Sequence, residues 1–351
     1  MHHIPHDTLR GHAAAILEAA GMDPAKAAVT ADVLVEGDMI GHDTHGVGLL
    51  PWYADALAQG GMAGTGEHEV VRDRGGAIFV WDGKSLPGAW LVSKALEQAC
   101  ARVADHGVVT ATIRNSHHTC ALAAFMRKVT DQGYVVRLSS SNPGARRMAP
   151  FGGTEPLLTP NPTAMGFPTA GDPILIDISC SITTVTMSQS LAAEGKRYPE
   201  AWALTADGQP TDDPKEFTER GGTLLPLGGQ LKGYKGFSMA IGEEMLGQGL
   251  SGKGRANTAV GEFAQNVFLQ VLDPEAFAGH DAFLEQSTWL AETCRATPAA
   301  QPGGSVRMPG DRAAAKRRAA LADGVPVSDY RMDALCALAS RLGVPALAVS
   351  A

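Results

Sequence analysis

His45 has the residue type and the neighbours that proton-transfer chemistry requires. It lies in the segment GHDTHGVGLLPWY, residues 41–53, just after a predicted helix that Gly41 can end. A histidine titrates near neutral pH and can exchange a proton with a substrate, and the preceding hydroxyl of Thr44 can orient its ring. The alternative is that Asp43 and Thr44 only cap the next helix and that His45 is a half-exposed loop residue.

A second polar group follows a predicted strand at residues 108–113. The strand runs into RNSHHT, residues 114–119, which contains Ser116 and His118. Ligands of open α/β sheets gather at the carboxyl ends of strands, so we expect Ser116 and His118 to lie where chemistry takes place. The alternative is that Ser116 or Thr119 is an ordinary helix cap.

Two further segments place charged side chains where a ligand could use them. Residues 174–178 predict an apolar strand that carries Asp177 and leads into two serines, and a buried carboxylate needs partners. Lys235 lies in a glycine-flanked position before a predicted helix, where free N–H groups and the helix dipole favour an anion. An ordinary surface position is the alternative for Lys235. Residues 150–162 form a long glycine- and proline-rich loop, which is often functional.

Hydrophobic periodicity predicts the elements that must position these residues. The first quarter of the chain is helical, and strands then alternate with helices, which is the pattern of an α/β sheet. The predicted helices are 9–20, 24–41, 49–60, 89–104, 121–130, 238–246, one from 274 onward, 311–322 and one at the end of the chain. The predicted strands are 77–81, 108–113, 134–138, 174–178 and 266–272, and 297–304 is a predicted linker.

Composition and charge restrict the class of protein. The 351 residues have a formal net charge of −8, which argues against a nucleic-acid partner because phosphates demand a clustered basic surface. The 5 cysteines are scattered without a CxxC pair, so we expect no disulfide framework and no thiolate zinc site, and a reducing cytoplasm fits best. The N-terminus lacks an apolar signal core, and no stretch approaches the roughly 18 apolar residues of a membrane span. We therefore expect a soluble protein without a membrane partner.

Three motif-like patterns are rejected. Residues 247–253 match the GxxxxGK part of a phosphate-binding loop, but they follow a predicted helix rather than a strand, and Gly254 replaces the magnesium-binding hydroxyl. No GxGxxG lies between a strand and a helix, so an ordinary Rossmann fingerprint is absent. His42, Asp43 and His45 have loose spacing and no accompanying HExxH, so we predict no metal site.

The order of several landmarks resembles the malate/L-lactate dehydrogenase family. This family lacks a Rossmann fold and includes ureidoglycolate, sulfolactate and diketogulonate enzymes and cyclic imino-acid reductases. The resemblance covers nearly the whole chain and is carried by residues 45–47, 115–118, 149–153, 161–162, 177–181, 225–229, 235–236 and 308–311. None of these segments is specific alone, but their order is.

The resemblance implies a fold and a division of the chain. The fold is α/β, of the non-Rossmann malate/L-lactate dehydrogenase type, with a mixed sheet flanked by helices and a helical domain built from the two termini. Residues 1–75 are the N-terminal helical segment, 76–300 the cofactor- and substrate-binding α/β domain, and 301–351 a C-terminal helical segment that packs on the first. The usual state of the family implies a homodimer.

The resemblance also implies roles for individual residues. His45, with Thr44 in place of the family's serine, corresponds to the proposed proton donor, and His118 corresponds to a second proposed acid/base. Asp177 lies in a segment near nicotinamide and substrate, where it would fix a histidine tautomer or the nicotinamide carboxamide. The implied contacts to NAD or NADP are Ser116, Asn161, Ile178, Ser179, Cys180, Ser181, Tyr234, Lys235, Gly236, Pro309, Gly310 and Asp311.

The chain departs from the family pattern at positions that matter for specificity. Leu49 stands where many members have an arginine suited to clamp a substrate carboxylate. We predict that Leu49, Tyr53 and Arg146 bind substrate, with Arg146 either a replacement anion contact or a surface residue. Residues 159–160 and 186–187 also differ from the family's cofactor loops.

These features predict an oxidoreductase that interconverts a 2-oxo acid and its 2-hydroxy acid with NAD or NADP. His45 would donate the proton, and His118 would polarise the carbonyl or relay protons. One alternative is a reductase of cyclic imines, in which Leu49 would face the ring. An alternative of another class is a cofactor-binding protein whose altered loops weaken catalysis.

Overall fold

The computed structural model describes residues 1–347. Its helices are α1 His6–Ala19, α2 Pro24–Met39, α3 Leu50–Ala58, α4 Gly88–His106, α5 Ala123–Thr130, α6 Val185–Ala193, α7 Pro214–Glu219, α8 Gly229–Lys232, α9 Tyr234–Glu244, α10 His280–Ala296, α11 Asp311–Asp323 and α12 Asp329–Leu342. Its strands are β1 His2–Ile4, β2 Glu69–Asp73, β3 Ile78–Asp82, β4 Val108–Ser116, β5 Val135–Ser141, β6 Thr163–Phe167, β7 Ile174–Ile178, β8 Ala203–Leu204, β9 Pro210–Thr211, β10 Thr223–Leu224, β11 Gln265–Leu272 and β12 Val325–Val327.

A seven-stranded mixed sheet forms the centre of the molecule, in the order β2-β3-β4-β11-β5-β6-β7. The strands β3 and β4 are parallel and are connected through α4, whereas the other neighbouring pairs are antiparallel. Since β11 runs antiparallel to both β4 and β5, and β6 to both β5 and β7, the strands β4, β5 and β7 all run the same way. Their carboxyl ends, at Ser116, Ser141 and Ile178, therefore lie at one edge of the sheet.

The two ends of the chain form a helical layer beside this sheet. Strand β1 pairs antiparallel with β12, with His2 opposite Val327, and α11 and α12 pack on the N-terminal helices. Side chains of both parts, such as Leu34 in α2 and Trp81 in β3, are buried in one continuous core. The structure confirms the predicted mixed α/β fold with a helical region drawn from the two termini.

Strand β2 and helix α10 illustrate how element boundaries differ from the prediction. Strand β2 begins at Glu69 and belongs to the sheet, although the sequence analysis assigned residues 1–75 to the helical segment. The helix predicted from Pro274 begins at His280, because Asp273 caps a short 3₁₀ turn and Gly279 then has a φ of 95°. The limits at residues 75 and 300 stay predictions.

Candidate active site

A cavity of about 630 Å³ lies where the carboxyl ends of β4, β5 and β7 meet. The predicted site residues that line it are His45, His118, Arg146, Asn161, Asp177, Ile178 and Ser179. The lining also includes residues of the loop before β11, among them Phe263. The strand directions thus bring together side chains that are more than 130 residues apart along the chain.

His45 ends a short 3₁₀ turn, Asp43–His45, that follows α2. Its Nδ1 lies 2.8 Å from Thr44 Oγ1, so the predicted orienting contact is present. Thr44 itself is exposed, whereas the half-buried ring of His45 lines the cavity. Burial, reinforced by the nearby His42, lowers the pKa of His45 to about 4. The His45 imidazole is therefore neutral at pH 7 and can accept a proton.

A buried ion pair holds the turn that carries His45. Asp38, near the end of α2, accepts a hydrogen bond of 2.8 Å from the Val47 backbone N–H and pairs with Arg331 of α12. Gly46 packs so closely on this carboxylate that a Cβ would lie 2.1 Å from it. Burial raises the pKa of Asp38 to about 6, against the opposing effect of Arg331. Sequence reasoning missed this pair, although a carboxylate among the buried apolar residues of α2 was a signal.

His118 lies just beyond the end of β4 and stacks on His45. The two ring centroids are 5.6 Å apart with an interplanar angle of 20°. Tyr53 Oη lies 2.8 Å from His118 Nδ1. Burial lowers the pKa of His118 well below its usual value, and the neighbouring His45 and His117 add to this effect. The structure thus brings the two predicted catalytic histidines into direct contact, and both are neutral at pH 7.

Asp177 lines the cavity at the end of β7, and its bonds within the protein do not include the predicted contact with a histidine. Its Oδ2 accepts a hydrogen bond of 2.9 Å from the Ala123 N–H at the start of α5. No hydrogen bond joins it to a histidine within residues 1–347. Burial raises the pKa of Asp177, while His42 and the Ala123 N–H oppose that rise. Asp177 therefore places a carboxylate oxygen against a helix N-terminus, which favours negative charge.

The loop that carries Arg146 is anchored by a buried ion pair that the sequence analysis did not identify. Arg255 bonds Glu244 through two nitrogens, at 2.8 and 2.9 Å, and donates to the Ala145 carbonyl at 2.7 Å. Asn161 joins this network, since its Nδ2 donates to Glu244 Oε1 at 2.8 Å. Arg146 follows Ala145 directly and is half-buried in the cavity wall. No local motif reveals Arg255, because its partners come from two separate segments, residues 142–145 and 244–248.

Several residues predicted to contact the cofactor satisfy their polar atoms within the protein. Ser116 is buried, and its hydroxyl donates to the His117 carbonyl at 2.5 Å. Ser181 donates to the Thr183 carbonyl at 2.6 Å, and the Cys180 thiol bonds the Asn161 carbonyl at 3.2 Å. These side chains support the cavity wall and do not line the cavity.

The remaining segments predicted to bind the cofactor, residues 234–236 and 309–311, contact the strand β7 or residues 179–181, which follow it. Gly236, in the first turn of α9, approaches residues 179–181 so closely that a Cβ would lie 2.7 Å from the Cys180 carbonyl. Tyr234 and Lys235 beside it are exposed, and because α9 begins at Tyr234, Lys235 lies within the helix and not before it as predicted. Gly310 has a φ of 98° and contacts β7, and Pro309 accepts a hydrogen bond of 3.1 Å from the Leu175 N–H. Asp311 bonds Arg295 at 2.7 Å. These segments lie outside the cavity lining.

The residues near the two histidines include aromatic side chains, whereas Leu49 lies outside the cavity lining. Leu49 is half-buried, packs against the main core and is not part of the cavity lining. Trp52, which is 39% exposed, has its ring centroid 5.2 Å from that of His118. The ring centroid of Phe263 lies 4.7 Å from that of His117. Sequence reasoning did not single out Phe263, since its loop carries no motif.

Within residues 1–347, no group of three or more histidine, cysteine or acidic side chains is arranged to hold a metal ion. Over the same residues, no helix is long and apolar enough to cross a membrane.

The stacked histidines in a cavity at the edge of a mixed sheet are typical of an α/β enzyme with acid–base groups. Comparisons with known proteins define its class further. Residues 4–336 match the family described as malate/L-lactate dehydrogenase, and the chain belongs to that family. It is an oxidoreductase, because its relatives are dehydrogenases and reductases of hydroxy acids and imino acids.

Three proteins illustrate this relationship. The L-lactate dehydrogenase of Cupriavidus necator is 32% identical over 295 residues, which are 82% of this chain and 83% of that protein. The hydroxycarboxylate dehydrogenase B of Escherichia coli (strain K12) is 25% identical over 352 residues, 98% of this chain and 95% of that protein. The crystal structure of Δ1-piperideine-2-carboxylate reductase from Pseudomonas syringae pvar. tomato has a TM-score of 0.84 and 27% identity, covering 96% and 100% of the two chains.

Proposed function

We propose that this oxidoreductase interconverts a 2-oxo acid and its 2-hydroxy acid with NAD or NADP, and that His45 exchanges the proton. The stacking of His45 on His118 at the cavity wall, with centroids 5.6 Å apart, is the observation that carries the proposal. One imidazole can exchange a proton while the other contacts the same substrate oxygen. Carbonyl reduction needs both functions, because negative charge develops on that oxygen.

The cavity fits a nicotinamide cofactor in size and in chemistry. Its volume of about 630 Å³ lies within the roughly 300–1,000 Å³ of typical ligand sites. Ser140 lines it with a buried hydroxyl that has no partner within residues 1–347, so a polar ligand would satisfy an otherwise unpaired group. Thr184 and Thr186, which also line the cavity, would hold the cofactor through their hydroxyl groups, whereas the Ser179 hydroxyl already donates to the Ser181 carbonyl at 3.1 Å. When bound, the cofactor supplies or accepts the hydride.

The protein's own groups account for the remaining steps. Arg146 contributes the positive charge that attracts the substrate carboxylate. In oxidation, neutral His45 accepts the proton of the 2-hydroxyl group, and in reduction protonated His45 returns it to the oxygen. His118 donates a hydrogen bond to that oxygen. A substrate carboxylate beside His45 favours the charged imidazole, which raises the pKa of His45 towards the range that proton donation requires.

A cyclic imine is the second candidate substrate. The apolar part of the cavity wall, with Phe263, Leu122 and Ile178, favours a ring as the substrate side chain. The likeness to a piperideine-carboxylate reductase supports the same candidate. Protonated His45 would then hydrogen-bond the ring nitrogen.

The test is a substrate panel. The loss of NADH and NADPH absorbance is measured with small, aryl-substituted and dicarboxylic 2-oxo acids and with five- and six-membered cyclic imino acids. We expect turnover of at least one 2-oxo acid, and oxidation of the matching 2-hydroxy acid by the oxidised cofactor. If the protein turns over only cyclic imines, the proposed substrate is a cyclic imine and not a 2-oxo acid. Tight cofactor binding without turnover of any compound would indicate a cofactor-binding protein with weakened catalysis.

A further inference from the structure

Tyr53 contacts a predicted catalytic group without reaching the substrate cavity. The side chain is fully buried and is not part of the cavity lining, whereas His118 is. Its hydroxyl oxygen lies 2.8 Å from His118 Nδ1 and 3.2 Å from Cys120 Sγ. This position differs from that of a substrate-binding residue, the role predicted for Tyr53 from the sequence. It points to an action through His118.

The backbone of Cys120 determines which nitrogen of His118 can carry the proton. The Cys120 N–H points at His118 Nδ1 over 3.3 Å. A backbone N–H only donates, so Nδ1 must be the acceptor and must be unprotonated. In a neutral imidazole the proton then lies on Nε2.

Tyr53 reinforces the same arrangement. With Nδ1 unprotonated, the contact of 2.8 Å is a hydrogen bond in which the Tyr53 hydroxyl donates to Nδ1. Two other acceptors are more distant from the hydroxyl, Cys120 Sγ at 3.2 Å and the His118 carbonyl at 3.5 Å. Tyr53 therefore makes the shorter of the two bonds that oppose protonation at Nδ1.

The second ring nitrogen is left for a ligand. Within residues 1–347, His118 Nε2 has no hydrogen bond to the protein, and it is not among the buried unpaired atoms. The burial that lowers the pKa of His118 also keeps the ring from taking a second proton.

We propose that Tyr53 is a positioning residue that, with the backbone N–H of Cys120, holds His118 in the tautomer protonated at Nε2. His118 then presents a neutral N–H group to the substrate oxygen, and proton exchange belongs to His45 alone. This part of the inference rests on the proposed function. The tautomer itself does not, since it follows from contacts within the protein.

The test begins with the tautomer, which needs neither substrate nor cofactor. Histidine side-chain ¹⁵N spectra of the ¹⁵N-labelled protein at pH 7 distinguish a protonated from an unprotonated ring nitrogen, and the His118→Gln variant identifies the His118 signals. We expect the wild-type spectrum to show an unprotonated Nδ1 and a protonated Nε2. A proton on Nδ1 of His118 would overturn the inference, whatever the enzyme's substrate proves to be.

The Tyr53→Phe variant tests the role of the hydroxyl while it keeps the ring. We expect a mixture of His118 tautomers and a decrease in kcat of roughly threefold to tenfold, the effect of one neutral hydrogen bond, with KM changed less than twofold. Cys120→Ala removes the thiol but keeps the backbone N–H, so it should leave the tautomer unchanged. Tyr198→Phe is the control for a buried tyrosine outside the cavity lining.

The outcomes separate this inference from the proposed function. An unchanged tautomer in Tyr53→Phe would overturn the positioning role of Tyr53. A changed tautomer with unchanged kcat would overturn the catalytic use of the Nε2–H donor. If no 2-oxo acid or imine is turned over but the tautomer depends on Tyr53, the proposed function fails and the positioning role stands.

Discussion

At the scale of single residues, burial decides what the two histidines can do. The rings of His45 and His118 share one wall of the cavity, and burial disfavours the charged form of each. Only one of two stacked imidazoles can be charged without strong repulsion. His45 is the better candidate, because its Nδ1 contacts the exposed Thr44, whereas His118 Nδ1 is held by a buried tyrosine.

Replacement of His45 tests its role directly. We expect His45→Ala to lower kcat about 10²–10⁴-fold, the usual contribution of a positioned proton-transfer group, while cofactor affinity stays within a few-fold. Steady-state kinetics and fluorescence titration with NADH and NADPH measure the two quantities. His106→Ala, at an exposed helix end, is the matched control. Near-normal turnover of His45→Ala would remove His45 from this role.

The low pKa of His45 predicts opposite pH dependences for the two directions of the reaction. Oxidation needs the neutral imidazole, so its kcat/KM should be flat above pH 5 and fall as the pH decreases through about 4. Reduction needs the protonated form, so its kcat/KM should rise about tenfold for each unit from pH 8 to pH 5. Initial rates in both directions check this. A reduction profile that levels off below pH 7 would contradict a pKa near 4.

At the scale of elements, one buried ion pair connects the end of the chain to the turn that carries His45. The pair between Asp38 of α2 and Arg331 of α12 lies directly behind Gly46 and Val47. A displacement of α12 would therefore move the catalytic turn. The C-terminal helices contribute in this way to the geometry of the site as well as to stability.

Removal of the charge on Asp38 tests this connection. Asp38→Asn leaves the Arg331 guanidinium largely buried without a counterion, so we expect a loss of about 3–5 kcal/mol in the free energy of unfolding and a lower kcat. Asp55→Asn breaks an exposed ion pair between α3 and α12, which should cost about 0–1 kcal/mol. Denaturant titration and kinetics compare the two variants. Equal stability of both would show that the buried pair does not hold the turn.

At the scale of the whole molecule, we predict a homodimer. Large exposed apolar side chains are concentrated around α8, α9 and the turn after α9, where they include Leu231 (86% exposed), Ile241, Met245 and Leu250. Such a face is suited to a self-complementary twofold contact. Sedimentation velocity should show a dimer, and Met245→Lys should weaken it, whereas Tyr330→Lys on α12 should not. A wild-type monomer at micromolar concentration would contradict the prediction.

The sequence could predict those parts of the molecule whose pattern is local. The helix α4 and the strand β7 have strong periodicity, and their predicted limits agree with the structure to within two residues. Strand β2 was missed because it is an exposed edge strand with almost no buried face. The resemblance supplied the pairing of His45 with His118, whereas the spacing of the two residues alone does not reveal it.

Contacts between distant segments of the chain could not be predicted from the sequence. Asp38 and Arg331 are 293 residues apart, and Tyr53 and His118 are 65 apart, so no spacing rule connects them. Their proximity depends on how the strands are ordered in the sheet and on which helices cover it. The same reason explains why Arg255, the anchor of the Arg146 loop, could not be found before the fold was known.

The most direct test of the central claim is the transfer of a labelled hydride. Purified enzyme is supplied with the 2-oxo acid that it reduces best and with NADH or NADPH carrying deuterium at C4, separately in each of the two stereochemical positions. The product is analysed by mass spectrometry and NMR. We predict that one stereoisomer of the cofactor yields 2-hydroxy acid with deuterium at C2, and that this transfer is lost together with turnover in His45→Ala. A product whose C2 hydrogen comes from solvent with both stereoisomers would contradict hydride transfer in this cavity.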